Sequence, residues 1–233
     1  MKICKRSEMD DNVPGDIYLC QVNAHLSCGA CCGLYNVADA SRDALTKMLT
    51  YRTRIFEKVS RNMDAILEFK QMLKAKENQK RPYPKFHHCP YIGFVGTDNS
   101  RVGCLLHPLA DGNNGIDFRG LSFYGGMACG FYFCPTYRNL AKTYKEIIRE
   151  VFDHWYLYGL IVTEEKMLGE FFSEVERRLG RLLKKEDIVG NENAEDAIRK
   201  FLRLKVYWPF RLRPGKGMCN YFFEDHLYSK PLV

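Results

Sequence analysis

The residues best suited to chemistry lie between His25 and Gly33. This stretch reads His-Leu-Ser-Cys-Gly-Ala-Cys-Cys-Gly, so one imidazole and three thiols stand within nine residues, with glycines beside the cysteines. Thiolates and imidazoles are the ligands that zinc and iron–sulfur clusters prefer. Gly29 and Gly33 can take the positive φ that a tight turn between two ligands often needs. The pattern therefore predicts a turn that binds a metal.

Four more cysteines follow in a later block. Cys89 and Cys134 each precede a proline, and Cys104 and Cys129 stand between them. A structural zinc takes four Cys or His ligands, and a [4Fe–4S] cluster takes four cysteines. Ferredoxin-like cysteine sets often end in Cys-Pro, which favours an iron–sulfur (4Fe–4S) cluster, while Zn²⁺ stays open. We expect a metal core formed by residues 20–36 and 86–136, with these candidate ligands: His25, Cys28, Cys31, Cys32, Cys89, Cys104, Cys129 and Cys134.

Several of these positions allow a simpler interpretation. Adjacent residues point in different directions, so Cys31 and Cys32 rarely bind one small ion together; either one of them is spare or there are two centres. Cys20 is either a ligand or a strand residue. His25 is either a ligand, a residue that contacts the ligands, or a surface residue. Weaker candidates are His87, His88 and His107, and free thiols are the expectation for Cys4 and Cys219.

The order of these residues resembles that of the YkgJ-like cysteine-cluster proteins, which are described as zinc- or iron-chelating. That family has a Cys-x-x-Cys-x-x-Cys-Cys turn, a Cys-Pro-aliphatic segment, a cysteine in a hairpin, an Arg-Pro pair and a last cysteine before a helix. The flagellin lysine methylase carries a related module. Here His25 replaces the first cysteine, and no Arg-Pro pair follows Cys104. The matching elements are Cys28, Cys31 and Cys32, then Cys89-Pro90-Tyr91-Ile92, Cys104-Leu105-Leu106, and Cys129 or Cys134.

Composition excludes some classes of protein. The chain has 233 residues, of which 46% are hydrophobic and 27% charged, so it can bury a sizeable core. Ten cysteines, with no apolar export signal at residues 1–15, favour a cytoplasmic protein with metal or redox chemistry over disulfides. No apolar run approaches the roughly 20 residues of a membrane helix, so we expect no membrane partner.

The formal charge of +7 permits nucleic-acid binding. The basic residues of the late helices alternate with glutamates and have no stacking aromatics between them, which favours a solvated helix face and makes a nucleic-acid partner unlikely. These residues are Arg177, Arg178, Arg181, Lys184 and Lys185.

The elements around the cysteines are mostly helical. Apolar residues recur at three- and four-residue steps over 39–78, with a possible break near residues 60–62, and again over 136–205. Thr163 and Asn193 are the expected caps of two late helices. Two β-like runs flank turn residues 97–100 and predict a hairpin, a further run at 17–22 predicts a short strand, and 206–233 is expected to be a packed tail. The fold class predicted is mainly α (α+β) in a single domain, 1–233: a small irregular Cys-rich metal core with a short β-hairpin, bracketed by long helices.

The function expected is binding of an iron–sulfur cluster or zinc in a structural or redox role, with a possible protein partner. One alternative is a metal-dependent group-transfer enzyme similar to the protein lysine methylase, which the resemblance implies. Another alternative is a zinc module that binds nucleic acid. The aromatic residues near the last cysteines are expected to shield the centre from water: Phe123, Tyr124, Phe131, Tyr132 and Phe133.

Overall fold

The computed structural model describes residues 9–82, 84, 86–96 and 98–207. These residues are mainly helical with a small two-stranded antiparallel sheet, as predicted. They fall into two compact units. The terminal unit contains residues 9–28 and 133–207, and the central unit contains the described residues of 29–132. The prediction that residues 1–233 form one domain stays a prediction.

Two helices of the central unit are separated by a short break, as the sequence predicts. Helix α1, Arg42–Phe56, begins after Ser41, whose hydroxyl accepts a hydrogen bond from the Ala44 N–H. Helix α2, Met63–Lys76, begins after Asn62, whose side chain accepts one from the Ala65 N–H. Serine and asparagine are favoured here because their oxygens satisfy N–H groups that have no partner within the helix. The buried apolar faces comprise Leu45, Leu49, Phe56, Ile66, Phe69 and Leu73.

The predicted hairpin is confirmed. Strand β1, Ile92–Val95, pairs antiparallel with β2, Arg101–Cys104, and Ile92 faces Cys104. Thr53 of α1 holds β1: its hydroxyl donates to the Phe94 carbonyl at 3.1 Å and accepts from the Phe94 N–H at 2.8 Å. This exchange fixes the strand against the helix, with Cys89 just before β1 and Cys104 at the end of β2.

The loop after β2 is anchored by one buried side chain. The Asn113 amide donates to the Leu105 and His107 carbonyls at 2.8 and 2.7 Å, and its oxygen accepts from Arg61 at 2.8 Å. The sequence predicts an exposed loop at 111–115, and Asn113 is the exception because its polar groups are all satisfied inside. A short helix, α3, Gly125–Phe131, follows and carries Cys129; the sequence does not predict it.

Between residues 133 and 207, five α-helices of the terminal unit pack around a hydrophobic core. They are α4 (Thr136–Asn139), α5 (Lys142–Val151), α6 (Trp155–Ile161), α7 (Glu165–Leu179) and α8 (Glu192–Tyr207). The core includes Leu26, Ile147, Tyr158, Leu168, Phe172 and Leu202. The predicted helical segment 136–205 is therefore helical but interrupted, first at Leu140, whose φ and ψ are extended.

Three predicted details of this unit are wrong. The strand at 17–22 is reduced to an isolated bridge between Gln21 and Ser27. Asn191, not Asn193, caps α8, because its side chain accepts from the Ala194 N–H at 3.2 Å. Thr163 does not cap α7; its hydroxyl is buried without a hydrogen-bond partner in the described part of the chain.

Among the described residues no helix is both long and apolar enough to cross a membrane. Apart from Val206 and Tyr207, which belong to α8, the predicted packed tail 206–233 lies outside the described residues, as do Cys4 and Cys219.

Candidate metal centre

The cysteine turn of the central unit meets the segment before β1. Residues Ala30–Cys32 form one turn of 3₁₀-helix, which ends at Gly33 with φ 72°. The Cys89 N–H donates to the Cys32 carbonyl at 2.8 Å. A Cβ placed on Gly33 would lie 2.1 Å from the His87 carbonyl oxygen, so only glycine allows this approach. The backbone therefore holds Cys31 and Cys32 beside Cys89.

Five thiols of the central unit are near enough to each other that ionisation of one affects the pKa of another. An ionised Cys89 or Cys104 raises the pKa of Cys32, and an ionised Cys129 raises the pKa of both Cys89 and Cys104. Burial raises the pKa of Cys89 to about 11 and that of Cys104 to about 12, because the charged thiolate loses its hydration. Neighbouring thiols, when ionised, are among the smaller causes of both shifts. Metal-free, these two residues are therefore protonated at neutral pH.

Cys31 and Cys32 form a hydrogen-bonded pair with opposite pKa shifts. Their shared hydrogen bond is the first cause of both shifts: it lowers the pKa of Cys31 and raises the pKa of Cys32 well above its usual value. The two side chains therefore contact each other, and the expectation that they do not bind one ion together stays a prediction.

A buried guanidinium stands behind Cys89. Arg52 of α1 donates to the Cys89 carbonyl at 3.0 Å, to both carboxylate oxygens of Glu77, and to His88 Nε2 at 2.7 Å. The other ring nitrogen, His88 Nδ1, donates to the Gly33 carbonyl at 2.8 Å. Both nitrogens of His88 are therefore used within the protein. Burial and the charge of Arg52 lower its pKa well below the usual value, so the ring is neutral.

A second guanidinium lies beside Cys104 and Cys129. The Arg119 side chain is held by the Asp117 carboxylate through bonds of 2.7–3.1 Å and reaches the Cys129 carbonyl at 3.4 Å. The pKa of Arg119 is raised, mainly by the hydrogen bonds to Asp117 and also by the charges of Cys104 and Cys129. Ser122 Oγ lies 3.1 Å from Cys129 Sγ. Sequence reasoning missed Arg52 and Ser122, since nothing in the local pattern distinguishes them from the other arginines and serines of the chain.

The remaining candidate ligands lie in the terminal unit. Cys28, Cys134 and His25 belong there, as does Cys20. Cys28 and Cys134 are partly buried against the core of that unit, whereas His25 is exposed. The predicted ligand set is thus divided, with Cys31, Cys32, Cys89, Cys104 and Cys129 in the central unit.

The other two weaker histidine candidates, His107 and His87, make contacts within the protein. His107 Nδ1 accepts a hydrogen bond from the Leu109 N–H at 3.1 Å. His87 stacks on Phe123, with 5.5 Å between ring centroids, and its ring contacts Tyr124 and Phe86. Burial lowers the pKa of His87 to about 4. Its Nδ1 has no hydrogen-bond partner among the residues described.

The predicted aromatic shield is wrong for three of its members. Phe123 is 67% exposed, Phe131 is 78% exposed, and Tyr124 is 41% exposed. Phe133 packs against the core of the terminal unit and Tyr137 instead. The stretch 123–131 is therefore an apolar surface and not a cover.

The basic residues of the late helices are largely paired. Arg177 and Arg178 contact Glu174, and Arg181 contacts Asp187 at 2.7 Å. Exposed pairs of this kind are typical of a solvated helix face and contribute little to stability.

The thiols of the described residues are not already arranged around an ion: no group of three or more His, Cys, Asp or Glu in this part of the chain is positioned to hold one. The donor set itself fits a soft metal, because five sulfurs are available where four are needed. Rotation between staggered χ1 positions moves a cysteine sulfur by roughly 3 Å, so the position of each sulfur depends on its rotamer.

Protein-family models, curated proteins and solved structures contain no match to this chain. The resemblance to the YkgJ-like cysteine-cluster proteins therefore stays a prediction that rests on the order of the cysteines.

Proposed function

We propose that the central unit binds a [4Fe–4S] cluster or Zn²⁺ through its thiols, in a structural or redox role. The observation that supports this proposal is a set of backbone contacts within one unit: the Cys89 N–H donates to the Cys32 carbonyl, and the hairpin pairs Ile92, three residues after Cys89, with Cys104. Buried thiols repel each other once ionised, and a cation in their midst removes that repulsion. The ligands are Cys89, Cys104, Cys129 and one of Cys31 and Cys32.

The surrounding charges support an anionic centre. Four thiolates around Zn²⁺ carry a net charge of −2, and a four-thiolate cluster is likewise anionic. Arg52 beside Cys89 and Arg119 beside Cys104 and Cys129 place two positive charges at the site. Each is oriented by a carboxylate, Glu77 or Asp117. Such outer partners hold the ligands in position and favour their deprotonated form.

The two candidate groups supply different chemistry when bound: zinc ties distant segments together without redox change, and an iron–sulfur cluster carries single electrons. The chain itself does three things. The Gly33 turn brings Cys31 and Cys32 to Cys89, the hairpin presents Cys104, and Ser122 contacts Cys129. Cys129 is exposed, so this edge of the site is accessible to solvent or to an electron-transfer partner.

Metal analysis of the full chain, purified without oxygen, tests the proposal. We expect either brown protein with iron and sulfide and a visible absorption band, or colourless protein with stoichiometric zinc. Cys89→Ser and Cys104→Ser should each lose that centre. Cys20→Ser, a matched change in the terminal unit, should keep it.

Two results would contradict the proposal. One is a full chain that contains neither group and takes up neither on reconstitution. The other is retention of the wild-type metal content by both Cys89→Ser and Cys104→Ser. Loss in Cys20→Ser together with retention in Cys104→Ser would move the centre out of the central unit.

A further inference from the structure

Cys20 and Cys28 of the terminal unit lie opposite each other at the base of a small hairpin. The Cys28 N–H donates to the Cys20 carbonyl at 2.8 Å, and the next residues inward, Gln21 and Ser27, form an antiparallel bridge. Residues opposite each other in this way project to the same face, with Cα atoms about 5.5 Å apart. A disulfide needs Cα atoms roughly 4.4–6.8 Å apart, so the backbone places this pair within range of a bond.

The turn of this hairpin is fixed by contacts that do not involve sulfur. Asn23 Oδ1 accepts from the His25 and Leu26 N–H groups, each at 2.8 Å, and the Val22 N–H donates to the Leu26 carbonyl at 2.9 Å. Leu26 is fully buried in the core of the unit, whereas residues 23–25 are exposed. The spacing of the two cysteines is therefore set by the backbone and by the packing of Leu26.

Other described cysteines are less suited to a disulfide. Cys31 and Cys32 are neighbours in the chain, so their Cα atoms are about 3.8 Å apart, which is shorter than the range of ordinary disulfides. In the hairpin of the central unit, Cys104 faces Ile92 and not a cysteine. Strand pairing places no other two of the described cysteines opposite each other.

The phenol of Tyr137 contacts one of the two sulfurs. Its hydroxyl lies 3.2 Å from Cys20 Sγ, and its oxygen accepts from the Leu19 N–H at 2.8 Å. Once Cys20 is ionised, only the phenol has a proton to share in this contact, so it donates to the thiolate. A hydrogen bond donated to a charged group favours the charged form, and the thiolate is the form that reacts. This contact favours Cys20 as the sulfur that reacts first with an oxidant.

We propose that Cys20 and Cys28 form a reversible disulfide when the protein meets hydrogen peroxide, with Tyr137 as a positioning residue for Cys20. The Cys20 thiolate attacks one peroxide oxygen, the O–O bond breaks, and one water leaves with the proton that the thiol released; Cys20 is now a sulfenic acid. The Cys28 sulfur attacks Cys20 Sγ, the S–O bond breaks, and a second water leaves with the Cys28 proton.

The electrons balance over these two steps. The two thiols lose two electrons and two protons, and the peroxide takes up both to give two waters. A dithiol reverses the reaction by thiol–disulfide exchange. Both cysteines are partly exposed, so small oxidants and reductants reach them. This pair does not depend on the centre proposed for the central unit.

Disulfide mapping of the full wild-type chain tests the pair without any substitution. Protein purified without oxygen is treated with hydrogen peroxide, denatured and alkylated, so that linked cysteines escape the alkylating reagent. Cleavage after Leu26 by chymotrypsin separates Cys20 from Cys28, and mass spectrometry identifies the peptides that stay joined. We expect a link between these two residues that dithiothreitol removes. A link from either of them to Cys134 instead, or complete alkylation of both, would overturn the proposal.

Substitutions test the order of the two steps. Cys134→Ser is the control, because Cys134 is also partly buried against the same core, and it should keep the link. Cys28→Ser should stop at the sulfenic acid of Cys20, which dimedone traps, whereas Cys20→Ser should give several times less label on Cys28. Equal labelling in these two variants would overturn Cys20 as the first sulfur to react.

The role of Tyr137 is read from the same label. In the Cys28→Ser background, Tyr137→Phe removes the proton donor next to Cys20 while keeping the ring. We expect sulfenic acid formation on Cys20 to slow several-fold at neutral pH. An unchanged rate would overturn the assignment of Tyr137 as a positioning residue.

Discussion

Arg52 links three parts of the central unit through one buried side chain. Its guanidinium contacts Glu77 at the end of α2, the Cys89 carbonyl before β1, and the His88 ring. The His88 ring in turn donates to Gly33. A buried charge of this kind is stable only because each of its donors finds an acceptor. The residue therefore fixes the position of Cys89 rather than contributing a ligand.

Replacing Arg52 with lysine tests this role. An ammonium group cannot reproduce the planar fork that contacts Glu77 with two nitrogens while reaching Cys89 and His88. We expect Arg52→Lys to lower the free energy of unfolding by about 2–4 kcal/mol, as judged by urea denaturation of metal-free protein. Arg54→Lys, at an exposed position of the same helix, is the control. Equal stabilities of the two variants would show that the fork is not needed.

At the scale of elements, the meeting of residues 29–33 with residues 86–89 decides where the thiols lie. The contact depends on Gly33, which combines a left-handed backbone with close approach to the His87 carbonyl. Gly115 also has a positive φ, of 83°, yet nothing lies within 4 Å of the place its Cβ would take. Substituting each of the two glycines therefore separates the cost of backbone strain from the cost of a steric clash.

We expect Gly33→Ala to cost about 3 kcal/mol of stability, because conformational strain and the clash with His87 add. Gly115→Ala should cost about 1 kcal/mol, for strain alone. Thermal unfolding measures both. Gly33→Ala should also reduce the metal content of the purified chain. A Gly33→Ala variant as stable as Gly115→Ala would contradict the close approach.

The start of α8 offers a second comparison within one element. Asn191 accepts from the Ala194 N–H, and the Gly190 N–H donates to Glu195, so both sides of this terminus are satisfied. Removal of a capping asparagine costs about 1 kcal/mol. We expect that loss for Asn191→Ala and a much smaller one for Asn193→Ala, as measured by chemical denaturation. A larger loss of stability for Asn193→Ala than for Asn191→Ala would contradict this assignment and support the cap that the sequence predicts.

Across the whole molecule, several tyrosines keep their phenolic protons because burial disfavours the charged phenolate. Burial is the first cause that raises the pKa of Tyr158 well above its usual value, and the charges of Cys28, Cys20 and Cys134 add to it, whereas Arg149 opposes it. Burial also raises the pKa of Tyr137 and, to about 12, that of Tyr91. These phenols stay neutral in the folded state at a pH where the unfolded chain ionises.

The sign of the resulting pH dependence follows. Below about pH 10 both states hold the proton, and the full stability is present. Above that value the unfolded state loses it and the folded state does not, so the free energy of unfolding decreases as the pH rises. We expect circular dichroism and phenolate absorbance to change together in alkali. Phenolate formation by Tyr137 and Tyr158 before any loss of structure would contradict this.

The sequence predicts local structure better than it predicts the partition of the thiols. The hairpin follows from turn residues 97–100, and the break before α2 follows from residues 60–62, because both signals act within a few residues. Cys28 and Cys31 are only three residues apart, yet they belong to different units. Spacing along the chain cannot predict that separation, because it depends on contacts with residues distant in sequence, such as Tyr137 and Cys89. The shielding role predicted for Phe123 and Phe131 is wrong for a similar reason: apolar character alone does not predict whether a residue before or within a short helix faces water.

Because the Gly33 turn contacts the segment before β1, residues 34–86 form a closed segment whose two ends lie close together. The entropy lost in closing such a loop grows only with the logarithm of its length, so even a doubling costs about 0.6 kcal/mol. Extra residues at the exposed connection between α1 and α2, for instance after Lys58, would therefore lengthen this segment without breaking the contact between its two ends. Natural variation in chain length is most easily accommodated at that connection.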